Sequence, residues 1–208
     1  MSAERSYGGV PLARRREERR ERLLAAGVEL FTSTGYQQTK ITELCAAAGM
    51  SNRGFYQEFE TKEALLLELY ARTNRLAYDH VSQMLTTLET TDPAERIDVL
   101  IDVYLAAVTS DPRLARLNYV EAVGVSPAVE ALHVEWVGRW STLIEREADQ
   151  AAAAGHAPHR DFRLTAIMIV GAITGLLREW QNHAARYPTP EIAAEAKALI
   201  LTSITRQV

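Results

Sequence analysis

Residues 23–66 read LLAAGVELFTSTGYQQTKITELCAAAGMSNRGFYQEFETKEALL. Apolar residues in the first part of this stretch recur at steps of three and four, which predicts an amphipathic helix from near Leu12 to Ser33. The residues that this helix is expected to bury are Leu23, Leu24, Gly27, Val28, Leu30 and Phe31. Gly35 is expected to end the helix, because glycine readily adopts the left-handed conformation found after helix C-termini.

Two short helices are predicted next. Thr39 is the expected N-cap of the first, Gly49 permits a left-handed turn after it, and Ser51 is the expected N-cap of the second. The apolar face of the first short helix consists of Ile41, Leu44, Cys45 and Ala48. A long helix followed by two short ones joined by a tight turn is typical of a helix-turn-helix unit, although other compact helical corners share this geometry.

The second short helix has two distinct faces. Phe55 and Phe59 are four residues apart and are expected to face inward. The residues expected to point outward are Asn52, Arg53, Tyr56 and Gln57. Thr61 is the expected N-cap of the next helix, with Glu63 favourably placed against its N-terminal dipole. In a helix-turn-helix unit this second short helix would enter the major groove of DNA.

The amino-acid sequence of this segment resembles the DNA-binding domain of the TetR family of transcriptional regulators. The matching residues are Ala26, Gly27, Val28, Glu29, Leu30, Phe31, Gly35, Tyr36, Thr39, Ala48, Gly49, Met50, Ser51, Phe55, Tyr56, Phe59, Thr61, Lys62, Glu63, Ala64 and Leu65. The resemblance implies an all-α fold: an N-terminal three-helix helix-turn-helix domain (residues 1–60) followed by a helical effector-binding and dimerisation domain (residues 61–208).

The resemblance also implies a DNA-binding surface. Its expected members are Thr39, Lys40, Ser51, Asn52, Arg53, Gly54, Tyr56, Gln57 and Lys62. Within this set, Thr39, Tyr56 and Lys62 are expected to touch the DNA backbone. Arg53 has the geometry to pair with guanine or to hold a phosphate, while Asn52 and Gln57 suit adenine. The sequence departs from the family pattern at Arg53 and Gly54, and at Glu58, where a carboxylate would repel phosphate.

The charge is distributed unevenly. Residues 1–62 hold ten Lys or Arg against eight Asp or Glu, a net charge of +2, whereas the rest of the chain carries −6. A basic N-terminal part on an acidic body suggests an anionic partner for that part alone. The basic arm from Arg14 to Arg20 either adds phosphate or minor-groove contacts or forms surface ion pairs with its own glutamates.

The remaining sequence is predicted to be helical. Helices are expected from Lys62 to near Thr87, from Asp92-Pro93, from Asp111-Pro112 to Gly124, from Ser126-Pro127 to about Ala154, from Asp161 to Arg186, and from Pro188 or Pro190 onward. The resemblance implies a homodimer formed through the last two helices. Gly171, Ala172 and Gly175 would then meet the stripe formed by Ile192, Ala196, Leu199, Ile200 and Ser203, unless both stripes pack within one subunit.

Ligand sites in helical bodies of this kind lie between helices and are mostly apolar with a few polar anchors. The candidate residues are Tyr78, Met84, Tyr104, Asn118, Tyr119, Glu121, His133, Trp136, Trp140 and Met168. Their content favours an apolar or aromatic effector, and each of them also suits an ordinary helical core. The expected function is a ligand-responsive DNA-binding regulator, and a repressor in keeping with the family habit.

Composition excludes several other classes. The chain has 208 residues and a single cysteine, which excludes an internal disulfide, and no apolar run reaches the roughly 20 residues needed to span a bilayer. The N-terminus lacks the apolar core of a secretory signal, so a cytoplasmic location is expected. His156 and His159 with Asp161 fit a solvated loop better than a metal site, and no cofactor motif is present. The chain is therefore not expected to be an enzyme. The alternative is an all-helical small-molecule-binding or enzymatic protein that does not regulate transcription.

Overall fold

The computed structural model describes residues 12–183 and 186–206. Within these ranges the chain forms nine α-helices and no strand, which confirms the all-α prediction. The helices are α1 (Leu12–Leu30), α2 (Ile41–Ala47), α3 (Asn52–Glu58), α4 (Lys62–Thr87), α5 (Pro93–Thr109), α6 (Pro112–Arg116), α7 (Pro127–Ala153), α8 (Arg163–Asn182) and α9 (Thr189–Thr205). Residues 1–11, which precede the predicted basic arm, lie outside the described residues.

The chain divides into two compact units, here called the head (Met1–Tyr70) and the body (Ala71–Val208). The division falls inside α4, so the first turns of that helix belong to the head and the rest to the body. The expected domain boundary between residues 60 and 61 lies just before this helix begins.

The core of the head joins α1, α2, α3 and the start of α4. Its large side chains are wholly buried, and they are Leu23, Phe31, Leu44, Phe55, Leu65 and Leu66. Two residues predicted to be buried, Val28 and Leu30, are only half-buried. Helix α1 lies against α4 at Gly27, where a Cβ atom would lie 3.0 Å from Cδ1 of Leu69.

The connection between α1 and α2 differs from the prediction. Helix α1 continues past Leu30 in a π-helical turn, Phe31–Gly35, before Gly35 ends it with a φ of 95°. Thr39 is not the N-cap of α2. Its hydroxyl instead donates to the Gly35 carbonyl at 2.8 Å, so it closes the preceding turn. Lys40 is the N-cap residue, and its backbone N–H donates to the Glu43 carboxylate at 2.8 Å.

Short-range capping fixes the helix starts in the body. The side chains of Asp92, Asp111 and Ser126 accept hydrogen bonds from backbone N–H groups of the first turns of α5, α6 and α7, at 2.8, 3.0 and 3.3 Å. The cap at Ser126 confirms a prediction, whereas at Asp92 and Asp111 the sequence predicted only where the helices begin. Helix α8 ends at Asn182, earlier than the predicted Arg186, because His183 leaves the helical conformation with φ −139° and ψ 39°.

The body core lies among α5, α7, α8 and α9. Part of the predicted dimer stripe on α9 belongs to this core: Ile192, Ala196 and Ile200 are each less than a tenth exposed. For these three residues the prediction of a partner contact is wrong, because their own subunit covers them. No helix within the described ranges is both long and apolar enough to cross a membrane.

Candidate functional site

Backbone hydrogen bonds close the turn between α2 and α3. Gly49 adopts a left-handed φ of 64°, its N–H donates to the Ala46 carbonyl at 3.2 Å, and the Met50 N–H donates to the Cys45 carbonyl at 2.9 Å. This pair of bonds is the Schellman arrangement that ends many helices. Ser51 then caps α3, and its Oγ accepts a hydrogen bond from the Gly54 N–H at 3.2 Å. The predicted helix-turn-helix geometry is therefore present in the head.

Helix α3 presents a polar face to solvent. Phe55 and Phe59 anchor its other face and are 0% and 3% exposed, whereas Tyr56 is 58% exposed. The members of the predicted DNA-binding set that are exposed are Lys40, Ser51, Asn52, Arg53, Tyr56 and Gln57, and Gly54 is half-buried among them. Amide, guanidinium and hydroxyl groups on one short, well-anchored helix form a surface suited to base edges and phosphates.

Two members of the predicted set lie elsewhere. The Lys62 ammonium donates to the carbonyl oxygens of Tyr36 at 2.7 Å, Thr39 at 2.9 Å and Gln37 at 3.4 Å. It also lies 4.3 Å from the centre of the Tyr36 ring, and burial lowers the pKa of Lys62. Thr39 is 2% exposed. In this conformation both residues hold the α1–α2 connection together, and neither presents its side chain to a phosphate.

Glu58 is a site residue that the sequence identified only as a departure from the family pattern. Its side chain is fully buried at the end of α3. Oε2 accepts a hydrogen bond from Arg16 Nε at 3.1 Å, and Oε1 accepts from Arg19 Nε at 3.1 Å. Two guanidinium groups therefore neutralise this carboxylate. The available signal was the spacing of the arginines on α1, which places residues 16, 19 and 20 on one helix face.

The arginines of the basic arm form ion pairs. Arg14 pairs with Glu18 one turn away at 3.3 Å, and both side chains are more than half exposed. Arg20 pairs with Glu68 of α4, and its guanidinium lies 4.2 Å from the centre of the Phe59 ring. These residues therefore form ion pairs, Arg14 with a glutamate of the arm itself and Arg16, Arg19 and Arg20 with Glu58 and Glu68 outside it.

The body brings five of the predicted ligand-site aromatics together. Tyr78 contacts both tryptophans, with ring centres 6.1 Å from Trp136 and 5.1 Å from Trp140. Tyr104 contacts Trp140 at 5.2 Å, and its hydroxyl shares a hydrogen bond of 2.9 Å with that of Tyr119. Burial raises the pKa of Tyr104 to about 12, although the hydrogen bond with Tyr119 lowers it in part. We call these five residues the aromatic cluster.

Two buried polar atoms of the predicted ligand site have no hydrogen-bond partner among the described residues. They are Nε1 of Trp136 and Oδ1 of Asn118. An unpaired buried donor or acceptor costs free energy, so such atoms are candidates to meet a ligand or an ordered water. Glu121, by contrast, pairs with Arg116 at 2.8 Å.

The other predicted ligand residues differ in how far they are exposed. His133 and Met84 are half-buried. Met168 is 66% exposed, so its assignment to an enclosed ligand site does not fit this conformation. It belongs instead to an apolar surface on α8 with Leu164, 75% exposed, and Ile167, 38% exposed. Gly171 and Gly175 continue this surface, and a Cβ atom at either position would meet nothing within 4 Å. We call these five residues the α8 face.

Comparison with known proteins points to one family. The family model for bacterial regulatory proteins of the tetR family matches residues 23–69. The HTH-type transcriptional activator FasR of Mycolicibacterium smegmatis is 28% identical over 172 residues, which cover 81% of this chain and 74% of FasR.

Two solved structures share the fold. The fatty acid degradation regulator FadR of Bacillus halodurans has a TM-score of 0.74 and 20% identity, covering 96% of this chain and 97% of its own. The regulator FadR of Bacillus subtilis, solved in complex with stearoyl-CoA, has a TM-score of 0.74 and 17% identity, covering 89% and 97%.

Proposed function

Because the chain belongs to the TetR family of bacterial transcriptional regulators, we propose that the exposed face of α3 enters the major groove of duplex DNA. The observation that carries this proposal is the division of α3 into a buried face, anchored by Phe55 and Phe59, and a polar face that includes the 58% exposed Tyr56. A helix held this firmly presents its polar groups in a fixed orientation, which sequence readout requires.

The proposed roles follow from side-chain chemistry. Arg53 offers two parallel N–H groups to guanine or holds a phosphate, while Asn52 and Gln57 suit adenine. Tyr56 donates its hydroxyl to a phosphate, and Lys40 and Ser51 add backbone contacts beside it. We leave Thr39 and Lys62 out of the contact surface, because the hydroxyl of Thr39 and the ammonium of Lys62 are bonded to backbone carbonyls.

We propose a homodimer that covers the α8 face. Leu164 and Met168 expose most of their apolar surface, and the neighbouring glycines allow another backbone to approach closely. Helix α3 has only seven residues, so one subunit makes few base contacts. Two copies related by a two-fold axis would read half-sites roughly 34 Å apart on a palindromic operator.

We further propose that an apolar or aromatic effector binds beside the aromatic cluster and releases the DNA. The indole N–H of Trp136 and the side-chain oxygen Oδ1 of Asn118, which have no hydrogen-bond partner among the described residues, would orient a polar group of such a molecule. The acyl chain of an acyl-CoA ester is apolar in this way, and stearoyl-CoA is bound in the Bacillus subtilis FadR structure. Release requires the effector to prefer the DNA-free conformation, typically by about 1 to 3 kcal/mol, and DNA must then weaken effector binding by the same factor.

Selection from random duplexes tests the DNA-binding function. We expect the purified protein to enrich palindromic sites and to bind them with a strong dependence on salt. Equal affinity for selected and scrambled duplexes at every salt concentration would contradict the proposal and favour a helical ligand-binding or enzymatic protein. A reporter gene placed behind the selected site then decides the direction of control: we expect repression, whereas the relative FasR bears the name of an activator.

Fluorescence tests the effector site. The chain has three tryptophans, so replacement of Trp180 by Phe leaves only Trp136 and Trp140 to report on the cluster. Titration of this variant with acyl-CoA esters of increasing chain length should change the emission, and addition of the selected duplex should weaken the apparent affinity. Identical affinities with and without the duplex would show that the ester is not an inducer.

A further inference from the structure

Glu58 occupies an unfavourable position for a carboxylate. It is the last residue of α3, where the helix dipole disfavours negative charge, and its side chain is fully buried. A buried charge is tolerated only when it is paired and hydrogen-bonded. The residues that pair with Glu58 therefore account for the presence of a buried carboxylate at the end of α3.

Those partners hold α3 by its side chain and its backbone. Arg16 and Arg19 bind one carboxylate oxygen each, and Arg19 adds a second bond to Oε1 from its terminal nitrogen at 3.1 Å. Arg20 donates to the carbonyl oxygen of Glu58 at 2.8 Å, which satisfies a backbone acceptor at the end of the helix. Three arginines from one face of α1 thus fasten the C-terminal end of α3.

The two ends of α3 are held by different means. The cap by Ser51 fixes the N-terminal end, and the arginines bound to Glu58 fix the C-terminal end. A helix of seven residues has little length of its own to define its direction, so its tilt depends on these two anchors. The residues proposed to read bases lie between them.

We propose that Glu58 is a positioning residue for DNA recognition: by pairing with Arg16 and Arg19 it fixes the tilt of α3, and it also withholds these two arginines from DNA phosphates. The inference rests on the proposed function. Glu58 thereby raises the ratio of selective to non-selective affinity for DNA. Its ion pairs keep α3 oriented for selective binding and keep the two arginines from binding phosphates non-selectively.

The variant Glu58→Gln tests this inference, because it keeps the size of the side chain but removes its charge. We expect affinity for the selected duplex to fall by about tenfold, while affinity for a scrambled duplex rises and its salt slope steepens by one to two units as the two arginines become available to phosphates. A residue with a merely structural role would weaken binding to both duplexes or to neither.

Glu60→Gln is the matched control, since it removes one negative charge from an exposed position two residues away. We expect it to raise binding to both duplexes slightly and equally. Circular dichroism establishes whether each variant is folded. If Glu58→Gln does not fold, Arg16→Gln carries the test, because Arg16 is two-thirds exposed and holds only one of the two oxygens. We expect it to lower selective binding without raising non-selective binding.

The outcomes separate the two proposals. An unchanged ratio of selective to non-selective affinity in the folded Glu58 variant, or in Arg16→Gln where that variant is the one that folds, would overturn the positioning role while leaving DNA binding intact. Failure of the unmodified protein to prefer any duplex would instead overturn the proposed function.

Discussion

The ammonium group of Lys62 and the carbonyl oxygen of Tyr36 are 2.7 Å apart, joined by a hydrogen bond that links the first residue of α4 to the connection after α1. The same ammonium lies over the Tyr36 ring. While its ammonium group is bonded to backbone carbonyls, Lys62 does not bind a phosphate. We therefore expect Lys62 to contribute to DNA binding by stabilising the head.

Lys62→Met should lower the free energy of unfolding by about 2 kcal/mol, because the hydrogen bonds that the charged ammonium donates to backbone carbonyls are lost. Chemical denaturation measures this change. Lys40→Met is the matched control: Lys40 is exposed, so its loss should leave stability nearly unchanged but lower the salt slope of DNA binding by about one unit. The reverse pattern would show that Lys62, not Lys40, contacts phosphate.

Substitutions on α3 should distinguish residues that contact the DNA backbone from residues that recognise bases. Tyr56→Phe is expected to weaken binding about equally across a panel of operator variants, because it removes a phosphate contact. Asn52→Ala and Arg53→Ala should instead change the preferred base at one position of each half-site, at a cost of about 1 to 3 kcal/mol. If all three variants rank the panel as the unmodified protein does, the assigned base readers are wrong.

Gly49→Ala should destabilise the head by roughly 1 to 2 kcal/mol, because a side chain is strained at a φ of 64° even though open space surrounds the position. Gly138 provides a control of opposite sign. It lies within α7 with equally open space, so Gly138→Ala should stabilise the protein by up to about 1 kcal/mol. Thermal unfolding followed by circular dichroism measures both, and a stabilising Gly49→Ala would contradict the left-handed turn.

Tyr104 should make stability fall at alkaline pH. The unfolded chain releases the phenol proton near pH 10, whereas the pKa of Tyr104 in the folded protein is about 12. Because the folded pKa is raised, the stabilising contribution is complete below pH 10 and is lost as the pH rises toward 12, at about 1.4 kcal/mol per pH unit. Denaturation of Tyr104→Phe between pH 8 and 11 should show a shallower decline than the unmodified protein, and parallel declines would contradict this assignment.

Met168→Glu should dissociate the proposed dimer, because it places a charge on the α8 face that a second copy would have to bury. Val134→Glu is the control, since Val134 is similarly exposed at 60% but lies on α7. Sedimentation at micromolar concentration should give a monomer for the first variant and a dimer for the second. A monomeric unmodified protein, or a dimeric Met168→Glu, would contradict the proposed interface.

Local features of the fold were predictable from the sequence, whereas long-range partners were not. The caps at Ser51, Asp92 and Ser126 depend on residues two or three positions away, so the sequence pattern contains the whole interaction. Glu58 and Arg16 are 42 residues apart, and Lys62 lies 26 residues from Tyr36, so only the folded head brings them together.

The α9 stripe illustrates a second limit of periodicity. The spacing of Ile192, Ala196 and Ile200 shows that these residues share one face, but it does not show which neighbour covers that face. Here α5 and α8 of the same chain pack against α9 and cover that face. On α8, by contrast, Leu164, Ile167 and Met168 stay exposed, although periodicity alone would assign these apolar residues to a core.

The side chains at positions 27, 65 and 69 occupy one shared volume between α1 and α4. A Cβ atom at residue 27 would lie 3.0 Å from Leu69 Cδ1 and 3.2 Å from Leu65 Cδ2, so any larger residue there takes space that the two leucines now fill. Because buried volume is conserved more strictly than the identity of any one residue, a gain at position 27 calls for a loss at position 65 or 69. The three positions are thus expected to vary together in functional variants, with the distance between α1 and α4 as the quantity that is preserved.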